Sequence, residues 1–203
     1  MAEKYTQKHS GVAIFCGSAP CVFSDLEKAK ELYPDATVYG ANFVGAMIPE
    51  IGHIWTQHGE LAHKIVERTG RSLTIHARPR KQKTGGGMWF LPAGDHAWQY
   101  VNYEWPDLYW VAGSSGIAGA MWAKHGMGHD TVIMCGVLLD PDSNGYADPY
   151  PGKSLDGSRA LQKDRIAVWR DILLLYQQEG RTEGVYAMSG FPKEVLGAPD
   201  GIR

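Results

Sequence analysis

The chain has 203 residues, 44% apolar and 21% charged, and carries a formal charge of −2 at neutral pH. That length supports one substantial core and a single domain, and the composition excludes a disordered chain or a coiled coil. So small a net charge gives no global field for gripping nucleic acid, which is not expected as a partner, and no apolar run nears the roughly 18 residues of a membrane span.

From the amino terminus, MAEKYTQKHSG is polar and has no targeting pattern. Val12 to Cys16 reads as a short apolar strand, followed by the turn Gly17-Ser18-Ala19-Pro20. Ser24-Asp25-Leu26-Glu27 has the form of a capping box and predicts a helix running to about Tyr33. Thr37 to Tyr39 is a second strand ending at Gly40-Ala41-Asn42, where Asn42 either meets a ligand or caps a helix at Phe43. Ile51 to Gln57 reads as a third strand, Glu60 to Arg68 as a helix closed by Gly70, and Ser72 to His76 as a fourth strand. Cys16, Cys21 and Cys135 form no Cys-x-x-Cys pair; two of them sit in apolar strand-like runs, where free cysteine behaves as a small hydrophobe, and a reducing cytoplasm is the expected home.

Ala77 to Trp105 has no regular pattern. It holds Arg78, Arg80, Lys81 and Lys83, three successive glycines and several aromatics. Arg78 and Arg80 suit either a phosphate clamp or a solvated loop. The glycines lack the Gly-Lys-Ser/Thr ending of a Walker loop, and no Gly-x-Gly-x-x-Gly follows the first strand.

Asp107 to Asp140 is the most informative run. It reads as a strand, the small-residue turn Gly113-Ser114-Ser115-Gly116, a helix, and a buried strand ending in Asp140. Such a turn brings backbone N–H groups and two hydroxyls to the positive end of a helix, where an anionic or hydroxyl-rich ligand is held; close packing of that helix on a sheet is the structural alternative. A polar loop follows, then a helix from about Ser158 to Glu179 with Leu161, Val168, Trp169, Ile172, Leu175 and Tyr176 on one face. Gly184 to Met188 is a last strand, and Ser189-Gly190-Phe191-Pro192 turns out of it.

Strands alternating with helices predict an α/β three-layer sandwich around a mostly parallel sheet, with its ligand site beyond the carboxyl ends of the strands. Gly17, Ser18, Asn42, His58, His76, Gly113 to Gly116, Asp140 and Ser189 fall at those ends. Asp140 suits a general base, a metal, a ribose contact or a cap on the turn at Pro141. No pair of histidines has the His-x-x-x-His spacing of a zinc helix with a glutamate between, and no metal site is expected.

The pairing of Gly-Ser-Ala-Pro after the first strand with the central Gly-Ser-Ser-Gly-Ile-Ala-Gly-Ala-Met helix, then Val132 to Asp140, resembles the bacterial sialyltransferase-like and 6-hydroxymethylpterin diphosphokinase-like group. Val185 to Pro192 is similar to that group's ending. The resemblance implies a Rossmann-like domain that binds a nucleotide. Gly17, Ser18 and Asn42 would then hold the phosphate or ribose side, and Ser114, Ser115 and Gly116 would approach the sugar or base. The sialyltransferases carry a late histidine base, whereas here no histidine follows His129 and the late loop offers Tyr146, Asp148, Tyr150 and Lys153.

The resulting expectation is a nucleotide-dependent transferase, a glycosyltransferase using a nucleotide-activated sugar. Asp140 or His58 would deprotonate the acceptor, and Tyr146 with Arg78 or Arg80 would stabilise the departing phosphate. The alternatives are diphosphate transfer from ATP to a hydroxymethyl group, which alone would require magnesium, and a module that sequesters a nucleotide without chemistry. Seven tryptophans and an apolar carboxyl-terminal helix point to a homo-oligomer.

Overall fold

The computed structural model describes residues 10–56, 62–71, 73–77, 114–142, 147 and 159–200. Their strands are β1 (Val12–Cys16), β2 (Thr37–Ala41), β3 (His53–Thr56), β4 (Thr74–Ala77), β5 (Thr131–Cys135) and β6 (Val185–Ala187). They form one sheet in the order β4-β3-β2-β1-β5-β6. Every pairing is parallel. The helices are α1 (Val22–Leu32), α2 (Ala62–Thr69), α3 (Ser115–His125), α4 (Arg159–Gln178) and α5 (Gly190–Leu196), with a 3-10 segment at Asn42–Ala46.

A parallel sheet must be covered on both faces, so its strands are apolar on both. Alternation divides β1 accordingly. Ala13 and Phe15, with Tyr39, Trp55 and Met134, pack against α3, α4 and α5. Ile14 and Cys16, with Val38, Ile54, Ile75 and Ile133, pack against α1, the 3-10 segment and α2. The result is the expected Rossmann-like three-layer sandwich, with the direction of strand addition reversing between β1 and β5.

Several local expectations are corrected. α1 begins at Val22 with Cys21 as its N-cap; the Ser24 hydroxyl donates back to the Cys21 carbonyl, so the capping box does not form. β5 stops at Cys135 rather than Asp140, because Gly136 turns to φ +65° and Leu139 to φ +52°, which breaks the ladder. Ser189 to Pro192 leads into helix α5 instead of a plain turn, with Pro192 in its first turn where a missing N–H costs little.

On α4 the inward stripe is Ile166, Trp169, Leu173 and Tyr176, at spacings of three and four, with Ile172 beside it; Trp169, Ile172 and Tyr176 are on the expected face. Val168 and Leu175, expected on that face, lie outside it at 49% and 37% exposure. The strand expected at Asp107 and the side chain of Leu161 lie outside the described residues.

Candidate functional site at the carboxyl edge of the sheet

In doubly wound sheets the ligand lies beyond the carboxyl ends of the strands where the winding reverses. That point falls here between β1 and β5, and two turns meet across it. The Gly17 amide donates to the Cys135 carbonyl at 2.7 Å and the Ala19 amide to the Gly136 carbonyl at 3.0 Å. A Cβ on Gly17 would sit 2.4 Å from the Gly136 oxygen, so only glycine permits the approach. Gly17 is therefore buried in contact with its own chain, while Ser18 beside it is half-buried and its carbonyl accepts from the Ala147 amide at 2.6 Å.

Next along the edge is Asn42. Its φ is +52°, and with Leu139 it is one of two non-glycine residues of positive φ among the described residues. Both stand at this edge, one after β2 and one after β5. Such conformations cost about 1–3 kcal/mol each and gather at ligand-binding and catalytic positions. The Asn42 side chain does not cap the 3-10 segment; its Oδ1 accepts from the Thr56 hydroxyl at 2.7 Å and from the Ser115 hydroxyl at 3.5 Å. Three strand or helix ends, of β2, β3 and α3, thereby converge on one amide oxygen.

Ser115 opens α3. Ser114 is the N-cap, in extended conformation, and its Oγ accepts from the Ile117 amide at 3.3 Å. No acidic residue lies in the first turn, so no carboxylate of the helix itself offsets the partial positive charge of that end. The Val137 side chain fills the space between Gly17 and Gly116, where an added Cβ would lie 2.7 Å and 3.1 Å from it.

Asp140 has a structural engagement: its Oδ1 accepts from the Asp142 amide at 2.9 Å and closes the turn at Pro141. Behind it the Arg170 guanidinium donates through Nε to the Leu139 carbonyl at 2.8 Å and stacks over Phe191 at 4.6 Å, which braces the left-handed residue. His76 does not reach the rim. It is fully buried in β4, its Nε2 lies 3.1 Å from His53 Nδ1, and its ring lies 4.4 Å from Trp122 under α3. His58, Arg78, Arg80, Gly113 and Tyr146 lie outside the described residues.

Sequence reasoning missed Asp25 as a site residue. It is 6% exposed, and its Oδ2 accepts from the Gly136 amide at 2.9 Å and from the Ser189 hydroxyl at 2.6 Å. Ser189 in turn lies 3.3 Å from Cys21 Sγ. The signal was present, because Asp25 shares a helix face with Val22 and Ala29, where an apolar residue belongs. Burial pushes the Cys21 thiol up from its ordinary pKa, the Ser189 hydrogen bond opposing it. The wholly buried Cys16 and Cys135 thiols are driven further up by the same cause. Among the described residues no cluster of histidine, cysteine and acidic side chains has the geometry of a metal site, and no helix is long and apolar enough to cross a membrane.

Six parallel strands, helices on both faces and a reversal beside β1 define an α/β protein of the Rossmann-like class. No protein-family model, curated protein sequence or solved structure matches the chain.

Proposed function

We propose that this edge binds a nucleotide and that the chain is a nucleotide-dependent transferase acting on a nucleotide-activated sugar. The observation that carries the reading is the left-handed Asn42, whose amide oxygen takes the Thr56 and Ser115 hydroxyls at the first turn of α3. Small hydroxylic side chains beside a helix N-terminus with no acidic residue in its first turn suit a phosphorylated, hydroxyl-rich ligand. The resemblance of the glycine-rich turn and the α3 run to sialyltransferase-like sequences selects nucleotide-sugars as the first substrates to test. In this scheme the α3 end and Asn42 would orient the donor, and Asp140 or His58 would take the acceptor proton.

The test is release of free nucleotide from a panel of nucleotide-sugars, with and without magnesium, by the intact chain and by Asn42→Ala and Asp140→Ala. Turnover lost about 10²-fold or more in Asn42→Ala supports the site. Turnover equal in the intact chain and Asp140→Ala removes Asp140 as base, and dependence on magnesium with ATP as donor would favour diphosphate transfer. A second reading, a module that sequesters a nucleotide unchanged, is favoured by the use of the Asp140 carboxylate as a turn cap. Mass spectrometry of small molecules that co-purify with the protein tests both; absence of any nucleotide, with no turnover on the panel, removes the proposal. Assembly into a homo-oligomer is part of the same proposal, and a single-chain mass by sedimentation would remove it.

A further inference from the structure

In the Rossmann-like class a ligand's phosphate ordinarily rests on the first βα turn, at the N-terminus of the helix that follows β1. Here that position is filled from within. The first turn of α1 lies directly on Gly136, where an added Cβ would come 2.5 Å from Val22 Cβ. Between α1 and the turn after β5 sits the Asp25 carboxylate, in the first turn of the helix, nearly inaccessible to solvent. Like a bound oxyanion it collects donors from separate segments, the Gly136 amide and the Ser189 hydroxyl.

We propose that Asp25 is an internal counterpart of a ligand phosphate, a specificity-determining residue that closes the first βα turn to anions and leaves the α3 end as the place for one. The step concerning α3 rests on the nucleotide reading above; the closure at Asp25 does not. A fixed negative charge in a nearly dry site repels a second anion by far more than it would in water. The same carboxylate binds the turns after β5 and β6 to α1, so the closed position is also rigid. Gly17, which the resemblance put on the phosphate side, is thus consumed in the closure, while Asn42 and Ser115 take no part in it.

The experiment is amide chemical-shift mapping by NMR with inorganic phosphate, at constant ionic strength, on the intact chain and on Asp25→Ser and Asp25→Asn. In the intact chain, phosphate leaves the Val22–Leu26 and Gly136 amides unmoved. In Asp25→Ser, which removes the charge and vacates the volume, those amides shift saturably, an effect that loss of a merely structural contact would not produce. Asp25→Asn keeps an acceptor for both donors and so preserves the turns if the serine variant fails to fold. Removal of its charge makes the same amides respond at least about tenfold more strongly than in the intact chain. Saturable shifts at Val22–Leu26 in the intact chain overturn the proposal, as does silence of these amides in both variants. A separate titration with CMP, UDP and ADP reads the α3 end: no response at Asn42 and Ser115 would sink the nucleotide reading and leave the Asp25 result standing.

Discussion

At the scale of single residues, glycine does most of the positioning. Gly119 lets α3 settle on the sheet: a Cβ there would fall 2.0 Å from Cζ and 2.5 Å from Cε2 of Phe15, a ring fully buried in the central strand. Either the ring or the helix must shift to admit a Cβ there. Gly119→Ala is expected to lower stability by about 1–3 kcal/mol in urea unfolding. A loss below about 0.5 kcal/mol would mean that α3 is not seated so closely. Small residues in this run were legible as a sign of close helix packing. Asp25 was legible only as a misfit: it shares the face of Val22 and Ala29, yet next to Ser24 and Glu27 it reads as part of a cap, and its partner Gly136 stands 111 residues away. Asn42 was legible as a residue of interest, whereas its acceptance of the Thr56 and Ser115 hydroxyls depends on how three elements end together.

Elements were easier to read than their boundaries. Every strand but β5 lies within about two residues of its expected ends, since buried parallel strands appear as short apolar runs. β5 misleads because Val137, Leu138 and Leu139 continue the apolar pattern after the backbone has left the ladder; two of these side chains, Val137 and Leu139, remain in the core. Along α4, periodicity found the helix and placed Trp169, Ile172 and Tyr176 on its inner face correctly, but put the exposed Val168 and Leu175 there as well. Tyr176, which lies on that inner face, is 1% exposed, and burial pushes its phenol from 10.0 to about 12, with the Arg181 charge opposing. The folded chain therefore holds this proton more tightly than the unfolded chain. Its stabilising effect is complete below pH 10 and is lost as pH climbs from about 10 to about 12, by up to about 2–3 kcal/mol. Chemical denaturation across that range should reveal the decline, and Tyr176→Phe should flatten it. An unaltered slope in the variant would show that the phenol titrates alike in the folded and unfolded chains.

For the molecule as a whole, the alternation of strands and helices was enough to anticipate a parallel sheet covered on two sides. The order of its strands was not, because no local pattern records that β5 joins the far side of β1. That placement decides which ends share the carboxyl edge, and so decides which of the anticipated residues meet.

It also governs how the chain comes together during synthesis. β1 emerges first from the ribosome, yet one of its flanks is reserved for β5, whose residues Thr131–Cys135 follow more than a hundred positions later. Until then the nascent chain offers a bare apolar strand with unsatisfied amides and carbonyls, the kind of margin that recruits neighbouring chains. Residues 1–77 expressed alone should therefore aggregate, measured by light scattering and centrifugation. A soluble, cooperatively unfolding fragment would mean that β1 to β4 can protect that flank unaided.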